Sequence, residues 1–432
     1  MKIFITGLTS VPKGGMELHN LGNYVIVEPL FDYLRKTFLK ADISTSIQMS
    51  DQFYQRNNIA GCHHKRFWTY GIRTGLSTFI DIFRVLAWKI LRLNFLLSSP
   101  LLKEISQADL IIDFSGDVYG DNASWTAFLE TNARLGVAIL MNKKTAMIVG
   151  SLGPFTILWR QTIAKFILPK INLVTNREPL STMMLNYIGI KGENIVSTAC
   201  PSVLFDAAPV SLIPRNKDFE RLFEDVTPTL GFIICGWNMP VGPYNRWPRD
   251  DWEFQPFIKI IKYLFEHTNY RICIMSHQNS TSHEGLLQKG NDHRIIDHLL
   301  DLLDEYYDNE RIFTLEGLYD ASQSKTIIGT FNLLISGRIH GAVQGMSQGI
   351  PTAVMDYGHE PKAHKLQGFS QLYGISDYIF SPTDSEEAIR IINKLIRDKK
   401  RLSLDLNERI PSVKSLALKN FKLLKDLTRC KN

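Results

Sequence analysis

The sequence lacks the signatures of disulfide-bonded and metal-binding proteins. It has five cysteines in 432 residues, Cys62, Cys200, Cys235, Cys273 and Cys430. None of them shows a CxxC or Cys/His ligand spacing, so we expect reduced thiols in a reducing compartment. The eleven histidines show no HExxH or paired-ligand spacing either, and the sequence predicts no metal site.

Charge blocks and nucleotide-cofactor motifs are also missing. The net charge of +6 is mild and the basic residues are spread out. This argues against a dedicated nucleic-acid-binding protein and is compatible with an anionic substrate or a membrane surface. The polar stretch 13–23 has neither GxGxxG spacing nor a Walker lysine, so no NAD, ATP or other cofactor is predicted. The apolar run 3–5 is too short for a secretory signal, which favours a first β-strand and a cytoplasmic location.

No hydrophobic run is long enough to span a membrane without interruption. The most apolar stretch, 79–102, contains Asp81, Arg84, Lys89 and Arg92. These charges argue against a spanning helix and favour an amphipathic one. Two alternatives stay open, a helix packed on its own domain, which we favour, and a helix in peripheral contact with the inner face of a membrane.

The sequence does contain two halves in which apolar strands alternate with amphipathic helices. Strands are predicted in the first half at 2–6, 110–114, 144–149, 172–175 and 195–197, and in the second at 229–235, 270–275, 311–314, 333–335 and 352–355. This alternation predicts an α/β fold with parallel sheets and right-handed crossovers. We expect domains at 1–208 and 229–432, a proline-containing linker at 209–228, a ligand cleft between the domains, and a C-terminal helix over 384–427 that packs across both.

The segment 331–374 carries the strongest functional signal. Its first strand delivers Arg338 and His340 to the strand's C-terminal end, where open α/β sheets bind ligands. Gly337 and Gly341 flank this pair, and we expect them to let backbone and ligand approach closely. The next strand ends in a polar run, Asp356, Tyr357, His359, Glu360, Lys362, His364 and Lys365. Two neighbouring strand ends therefore predict a site rich in cations.

Three loops of the first half follow strands in the same way. They contain Ser115, Gly116 and Asp117 after one strand, Gly153 after the next, and Arg177 after the third, where Ser181 is predicted to cap a helix. Glycine and serine at strand-to-helix turns expose backbone amides that bind anions.

The order of these motifs resembles the polysaccharide pyruvyl transferase family. The matching elements are Asn20 with Gly22, Ser115-Gly116, Gly153-Pro154-Phe155, Arg177-Glu178 with Ser181, Ser336-Gly337-Arg338-Ile339-His340, and Tyr357 with Lys362 or Lys365. The resemblance covers residues 18 to 380, and its Arg-x-His element is the most specific part. Asn23 stands where the family's N-x-G-D pattern has aspartate. This departure bears on the acceptor substrate more than on the donor.

The resemblance implies a GT-B-like fold of two Rossmann-like domains and an enzyme that uses phosphoenolpyruvate as co-substrate. Its pyruvyl unit would be transferred, as a ketal, to a sugar of a cell-surface polysaccharide or of a lipid-linked precursor. The implied donor-binding residues are Arg177, Arg338, His340 and a downstream lysine. The sequence leaves Lys362 and Lys365 open as alternatives for that lysine.

The same residues suit this chemistry. Phosphoenolpyruvate carries a phosphate and a carboxylate, which planar guanidinium groups hold bidentately and lysine holds as a point charge. Ketal formation moves protons near neutral pH, which makes His340 the catalytic candidate. Two alternatives remain, a nucleotide-sugar glycosyltransferase in which Asp356 or Glu360 would grip the ribose, and a non-catalytic binding protein of an envelope pathway.

Overall fold

A computed structural model describes residues 1–7, 17, 19–64, 67, 72–115, 119–244, 246–281, 287–307, 310–357 and 363–429. The strands are β1 (Lys2–Thr6), β2 (Asp42–Thr45), β3 (Ala60–Gly61), β4 (Leu110–Asp113), β5 (Lys144–Gly150), β6 (Leu173–Asn176), β7 (Ile195–Ser197), β8 (Thr229–Ile233), β9 (Arg271–Met275), β10 (Asn279–Thr281), β11 (Leu287–Lys289), β12 (Ile312–Thr314), β13 (Leu333–Ser336), β14 (Thr352–Met355) and β15 (Ile379–Phe380). The helices are α1 (Leu21–Thr37), α2 (Asp51–Asn57), α3 (Ile72–Leu91), α4 (Pro100–Gln107), α5 (Trp125–Leu140), α6 (Leu158–Ile167), α7 (Pro179–Tyr187), α8 (Lys217–Phe219), α9 (Gln255–His267), α10 (Asn291–Leu303), α11 (Ala321–Ile328), α12 (Ile339–Met346), α13 (Ala363–Tyr373) and α14 (Ser385–Arg429). Strands and helices alternate along the chain, as the sequence predicts.

The first of two compact units comprises the described parts of 1–16, 30–200 and 416–432. Its sheet has the strand order β3-β2-β1-β4-β5-β6-β7, and every neighbouring pair is parallel. The order reverses between β1 and β4, because the chain adds β2 and β3 on one side of β1 and the remaining strands on the other.

The second unit comprises the described parts of 17–29 and 201–415. Its main sheet is also parallel, with the order β12-β9-β8-β13-β14-β15, and a short antiparallel pair, β10 and β11, stands beside it. The strand order reverses between β8 and β13. The two parallel sheets confirm the predicted α/β class.

The second sheet is held by apolar residues that its strands bury on both faces. Leu333, Leu334 and Ile335 of β13 are fully buried, and Leu334 packs in one cluster with Ile233 of β8 and Phe313 of β12. Burying a large aliphatic side chain stabilises a fold by about 1.5–3 kcal/mol. This unbroken apolar run is what allowed β13 to be predicted from the sequence.

The unit boundaries differ from the predicted domains in three places. Residues 209–228 are no free linker, because Ile213, Phe219 and Leu222 are buried in the core of the second unit. Residues 17–29 belong to the second unit, where Asn20 forms a β-bridge with Gln278. The helix α14 belongs to the second unit up to residue 415 and to the first from residue 416.

Candidate functional site

The candidate site of the second unit lies where the order of its sheet reverses, between the carboxyl ends of β8 and β13. Open α/β sheets bind ligands at such a point. Asn238, which follows β8, organises it: its Oδ1 accepts a hydrogen bond from the backbone N–H of Cys235 at 3.0 Å. Its Nδ2 donates to the carbonyl oxygens of Met355 at 3.2 Å and Asp356 at 3.3 Å, at the end of β14. One buried side chain thus ties together the loops after two strands.

Arg338 extends from the end of β13 and forms a largely buried ion pair, in which its own side chain is 15% exposed. Its Nε donates to Oδ2 of Asp292 at 2.7 Å, and its Nη2 donates to Oδ1 of the same carboxylate at 2.6 Å. Nη2 also donates to Oε1 of Gln278 at 2.6 Å. Asp292 stands in the first turn of α10 and its side chain is 1% exposed. The guanidinium is therefore fixed in direction before any ligand binds.

The electrostatics of Arg338 follow from this pairing. Burial alone would lower the pKa of Arg338, but the Asp292 carboxylate outweighs it, and the resulting pKa lies above the usual value. Arg338 stays charged at all physiological pH values. Its Nη1 makes no hydrogen bond to any residue in the described ranges, so this nitrogen is the part of the group that can meet an anionic ligand.

His340 lies in the first turn of α12, close to the start of α1. A Cβ placed with ideal geometry at Gly22 would stand 2.9 Å from Nδ1 of His340 and 3.1 Å from Oδ1 of Asn20. The ring of Phe369 contacts the imidazole edge to face, with ring centres 6.4 Å apart. The structure therefore brings Asn20, Gly22 and His340 together, three residues that carry the family resemblance in the sequence.

The glycines beside Arg338 and His340 serve packing within the protein rather than the approach of a ligand. A Cβ at Gly337 would lie 2.0 Å from Oδ1 of Asn238, and one at Gly341 would lie 2.8 Å from Cδ1 of Ile233. The expectation that these glycines leave room for a ligand is thus wrong for both positions. They leave room for the Asn238 side chain and for the core.

A cavity of about 350 Å³ opens beside Arg338. It is lined by His19, Asn20, Trp237, Tyr244, Arg294 and Arg338, among others. The rings of Trp237 and Tyr244 stack with centres 4.9 Å apart, and the predicted site residue Tyr357 lies 5.9 Å from the Trp237 ring. The cavity thus combines aromatic faces with cations, a lining suited to anionic ligands that carry a ring.

His19 was not predicted from the sequence, although it lines the same cavity. Burial lowers the pKa of His19, and the positive charge of Arg338 lowers it further. The imidazole is therefore neutral at pH 7 and able to accept a proton. Asp292, Asn238 and His19 had no sequence signal of their own, because each comes from a loop or helix start far along the chain from Arg338.

The structure describes only one of the two alternative lysines. Lys362 lies outside the described residues. Lys365 lies on α13, and its side chain is 1% exposed. Its assignment to donor binding stays a prediction.

In the first unit, Asp113 and Ser115 stand at the end of β4. Oδ1 of Asp113 accepts a hydrogen bond from the backbone N–H of Ser115 at 3.1 Å and another from its hydroxyl. Burial raises the pKa of Asp113 to about 6, against the opposing effects of the Ser115 hydrogen bond and of Arg134. Gly116 and Asp117, predicted for the same loop, lie outside the described residues.

The other predicted loops of this unit are well packed. Gly153 has φ +107°, and a Cβ on Gly120 would lie 2.7 Å from its carbonyl carbon, so the two loops touch through glycine. Nε of Arg177 donates to Oγ of Ser151 at 2.8 Å. The cap of α7 is Glu178, whose carboxylate accepts from the backbone N–H of Ser181 at 3.0 Å. The prediction that Ser181 caps this helix is wrong, because the helix already begins at Pro179.

Comparison with known proteins identifies one sequence family. Its model, described as polysaccharide pyruvyl transferase, matches residues 20–359. This range contains the Asn20–Gly22 start, Arg177, the Arg338–His340 pair and Tyr357, and it ends before Lys362 and Lys365. No curated protein matches the chain significantly.

Solved structures with the same architecture are distant in sequence. A UDP-GlcNAc 2-epimerase from Neisseria meningitidis bound to UDP-GlcNAc is 11% identical, with a TM-score of 0.58 over 99% of this chain and 100% of the other. A glycosyltransferase from Rickettsia africae is 10% identical, with a TM-score of 0.57 over 100% and 99%. Anabaena Alr3699/HepE in complex with UDP is 13% identical, with a TM-score of 0.56 over 99% and 100%. At these identities the likeness establishes the fold, which is GT-B-like.

Proposed function

The chain belongs to the polysaccharide pyruvyl transferase family, and on this premise we propose that it transfers the pyruvyl unit of phosphoenolpyruvate to two hydroxyl groups of a saccharide, as a ketal. The observation that carries the proposal is the fixed Arg338 beside His340 at the reversal point of the second sheet. A charged guanidinium held in one direction suits an oxyanion, and a neighbouring imidazole suits proton transfer.

Arg338 would bind the donor through one edge only. Asp292 and Gln278 occupy Nε and Nη2, which leaves Nη1 for a phosphate or carboxylate oxygen. This differs from the bidentate clamp expected from the sequence. Further positive charge would come from Arg294, which lines the same cavity. Arg177 and one of the two lysines, Lys362 or Lys365, are proposed as donor-binding residues because of the family resemblance.

The reaction balances without an oxidant or a cofactor. One saccharide hydroxyl adds to C2 of phosphoenolpyruvate while a proton is delivered to the methylene carbon, which becomes a methyl group. Loss of inorganic phosphate and attack by the second hydroxyl close the ketal, and the second hydroxyl proton leaves with phosphate. The proton donor and acceptor would be His340, and His19 could take up a hydroxyl proton because its lowered pKa keeps it neutral.

The cellular setting follows from the donor. Phosphoenolpyruvate is an intracellular metabolite, so we propose a cytoplasmic reaction at the inner face of the membrane when the saccharide is lipid-linked.

A second candidate is transfer from a nucleotide sugar. It is favoured by the stacked Trp237 and Tyr244 rings next to Arg294 and Arg338, a lining that would also accept a nucleotide base and a diphosphate. Similar structures bound to UDP or UDP-GlcNAc have the same fold. Fold alone does not carry function, so ligand binding must separate the two candidates.

Thermal denaturation in the presence of ligands distinguishes the two candidate functions. A ligand that binds only the native state at 100 times its Kd stabilises it by about 2.7 kcal/mol. We expect phosphoenolpyruvate to raise the midpoint well above the rise given by inorganic phosphate at equal ionic strength. A rise with UDP-sugars and none with phosphoenolpyruvate would favour the glycosyltransferase.

A further inference from the structure

The helix α3 carries apolar residues on its exposed side as well as on the side that packs against its own domain. Among its described residues, Thr78, Asp81 and Val85 are fully buried, each with 0% exposure. Its exposed side consists largely of apolar residues, Leu76, Phe79, Ile80, Phe83, Leu86, Ile90 and Leu91. Phe83 is 70% exposed and Ile90 is 81% exposed. A surface helix normally turns its apolar stripe toward the core and its charges toward water.

This helix belongs to a layer that covers one face of the first sheet. Phe4 of β1 and Ile111 of β4 pack with α3 and α5, whereas Met147 of β5 packs with α5 and α6. Ile111 pairs with Thr145 and Asp113 pairs with Met147, so Ile111 and Met147 point to the same face because side chains alternate along a strand. The helices α3, α5 and α6 therefore lie on the same face of the sheet, and α3 packs against α5.

The exposed apolar side chains continue across this layer. Leu93 and Phe95 follow α3, Trp125 begins α5, and Leu158 and Phe166 lie on α6. Trp125 is 54% exposed and Leu158 is 74% exposed. We call the exposed side of α3, together with these exposed apolar side chains of the same layer, the α3 face. Apolar patches of this extent on a soluble protein usually mark an interaction surface.

The charges of the α3 face have one sign. The three helices contain two acidic residues, Asp81 and Glu130, and both are buried. Lys89, Arg92 and Lys165 are exposed on the same layer, and Lys170 follows α6 with its Nζ over the ring of Phe166. A second copy of this chain would bring cations against cations across such a surface. A negatively charged surface would complement it.

We infer that the α3 face is a docking surface for an anionic phospholipid bilayer, with α3 lying in the plane of the interface. Apolar side chains would enter the boundary between headgroups and acyl chains, and the lysines and arginines would contact phosphate groups. Within the described part of the chain no helix is both long and apolar enough to cross a bilayer. The inference does not depend on the identity of the donor, and it would set the first unit against the membrane in which lipid-linked saccharides reside.

Flotation with phospholipid vesicles tests the inference on the full chain. We expect binding to vesicles of equimolar phosphatidylcholine and phosphatidylglycerol, weak binding to phosphatidylcholine alone, and loss of binding as salt increases. Phe83→Glu should weaken binding about tenfold or more, because it places a charge in the apolar stripe. The matched control is Leu404→Glu, which changes an exposed leucine of α14 in the second unit and should bind as the parent does.

A second pair of variants tests how much the positive charges contribute to vesicle binding. Lys89→Gln with Arg92→Gln should weaken binding about thirtyfold, since each cation near an anionic surface contributes about one kilocalorie per mole, and about 1.4 is tenfold in affinity. Lys419→Gln with Lys422→Gln removes the same charge from α14, whose Asn420 accepts a hydrogen bond from Thr175 on the opposite face of the sheet. That control should keep most of the binding.

Three outcomes would overturn the inference. The first is failure of the parent chain to bind either vesicle composition. The second is equal binding by Phe83→Glu and Leu404→Glu, with circular dichroism showing both variants folded. The third is a dimer in sedimentation analysis that Phe83→Glu converts to monomer while vesicles are not bound, which would make a second copy the occupant of the α3 face.

Discussion

Arg338 and Asp292 are joined by two parallel hydrogen bonds, from Nε at 2.7 Å and from Nη2 at 2.6 Å. The carboxylate takes the edge of the guanidinium that a ligand would otherwise use. A buried pair of this kind contributes little net stability, but removal of one member leaves a buried charge without compensation. The pair therefore positions the cation and makes it depend on Asp292.

Replacement of Asp292 by asparagine tests this dependence. Asp292→Asn keeps the size of the side chain but removes its charge, so Arg338 loses its neutralising partner and we expect destabilisation by about 3–5 kcal/mol, together with weaker donor binding. Thermal denaturation and donor KM would measure both effects. The matched control is Asp297→Asn on the same helix, whose ion pair with Lys289 is about half exposed on both sides and worth roughly 0–1 kcal/mol. Equal midpoints for the two variants would contradict the positioning role.

Gly22 controls how closely α1 approaches His340. Gly22→Ala would place a Cβ 2.9 Å from Nδ1 of His340, so the imidazole must move. We expect kcat to fall about tenfold or more, because small displacements of a reacting group are costly, while the helix itself gains propensity. Gly136→Ala is the matched control, since that glycine also lies within a helix and a Cβ there meets nothing within 4 Å. Steady-state kinetics with native turnover in Gly22→Ala would count against His340 as a reacting group.

Ionisation of the buried Asp113 lowers the free energy of unfolding as pH rises. Its folded pKa of about 6 lies above the unfolded value of about 4, so the native state binds the extra proton between these values. Stability from this group is therefore lost as pH rises from about 4 to about 6, and the loss amounts to up to about 3 kcal/mol above that window.

Asp113→Asn removes this cost. The asparagine oxygen can still accept the hydrogen bonds from Ser115, so we expect the variant to match the parent near pH 4 and to melt at a higher temperature at pH 8. Asp109→Asn, one residue before the same strand and exposed, should show no such dependence. A stabilisation by Asp113→Asn that is the same at both pH values would show that the carboxylate does not titrate as described.

The sequence predicted those parts of the fold that are encoded locally. The apolar runs that became β1, β13 and β14 were evident, because buried parallel strands are uninterrupted apolar segments. The strand β2, with the sequence DIST, and the two-residue β3 were missed because they are short and partly polar. Similarly, Arg338 and His340 were found from their place after β13, whereas the partner Asp292 was not, since only the folded chain brings residues 46 positions apart into contact.

His340 is the proposed proton carrier, and glutamine separates that role from binding. His340→Gln keeps a hydrogen-bonding group but cannot exchange a proton near neutral pH, so we expect kcat to fall roughly 10²–10⁴-fold with a smaller change in donor KM. His267→Gln on the exposed side of α9 is the control and should turn over as the parent does. A loss confined to KM would make His340 a binding residue only.

Pyruvyl transfer itself is tested most directly by incubation of the protein with phosphoenolpyruvate and a panel of free and lipid-linked saccharides, followed by mass spectrometry and a phosphate assay. We predict a saccharide whose mass rises by that of pyruvic acid less one water, and one inorganic phosphate released for each ketal formed. Glycosyl transfer from a UDP-sugar to the same panel, with neither ketal nor phosphate formed from phosphoenolpyruvate, would contradict the proposed function.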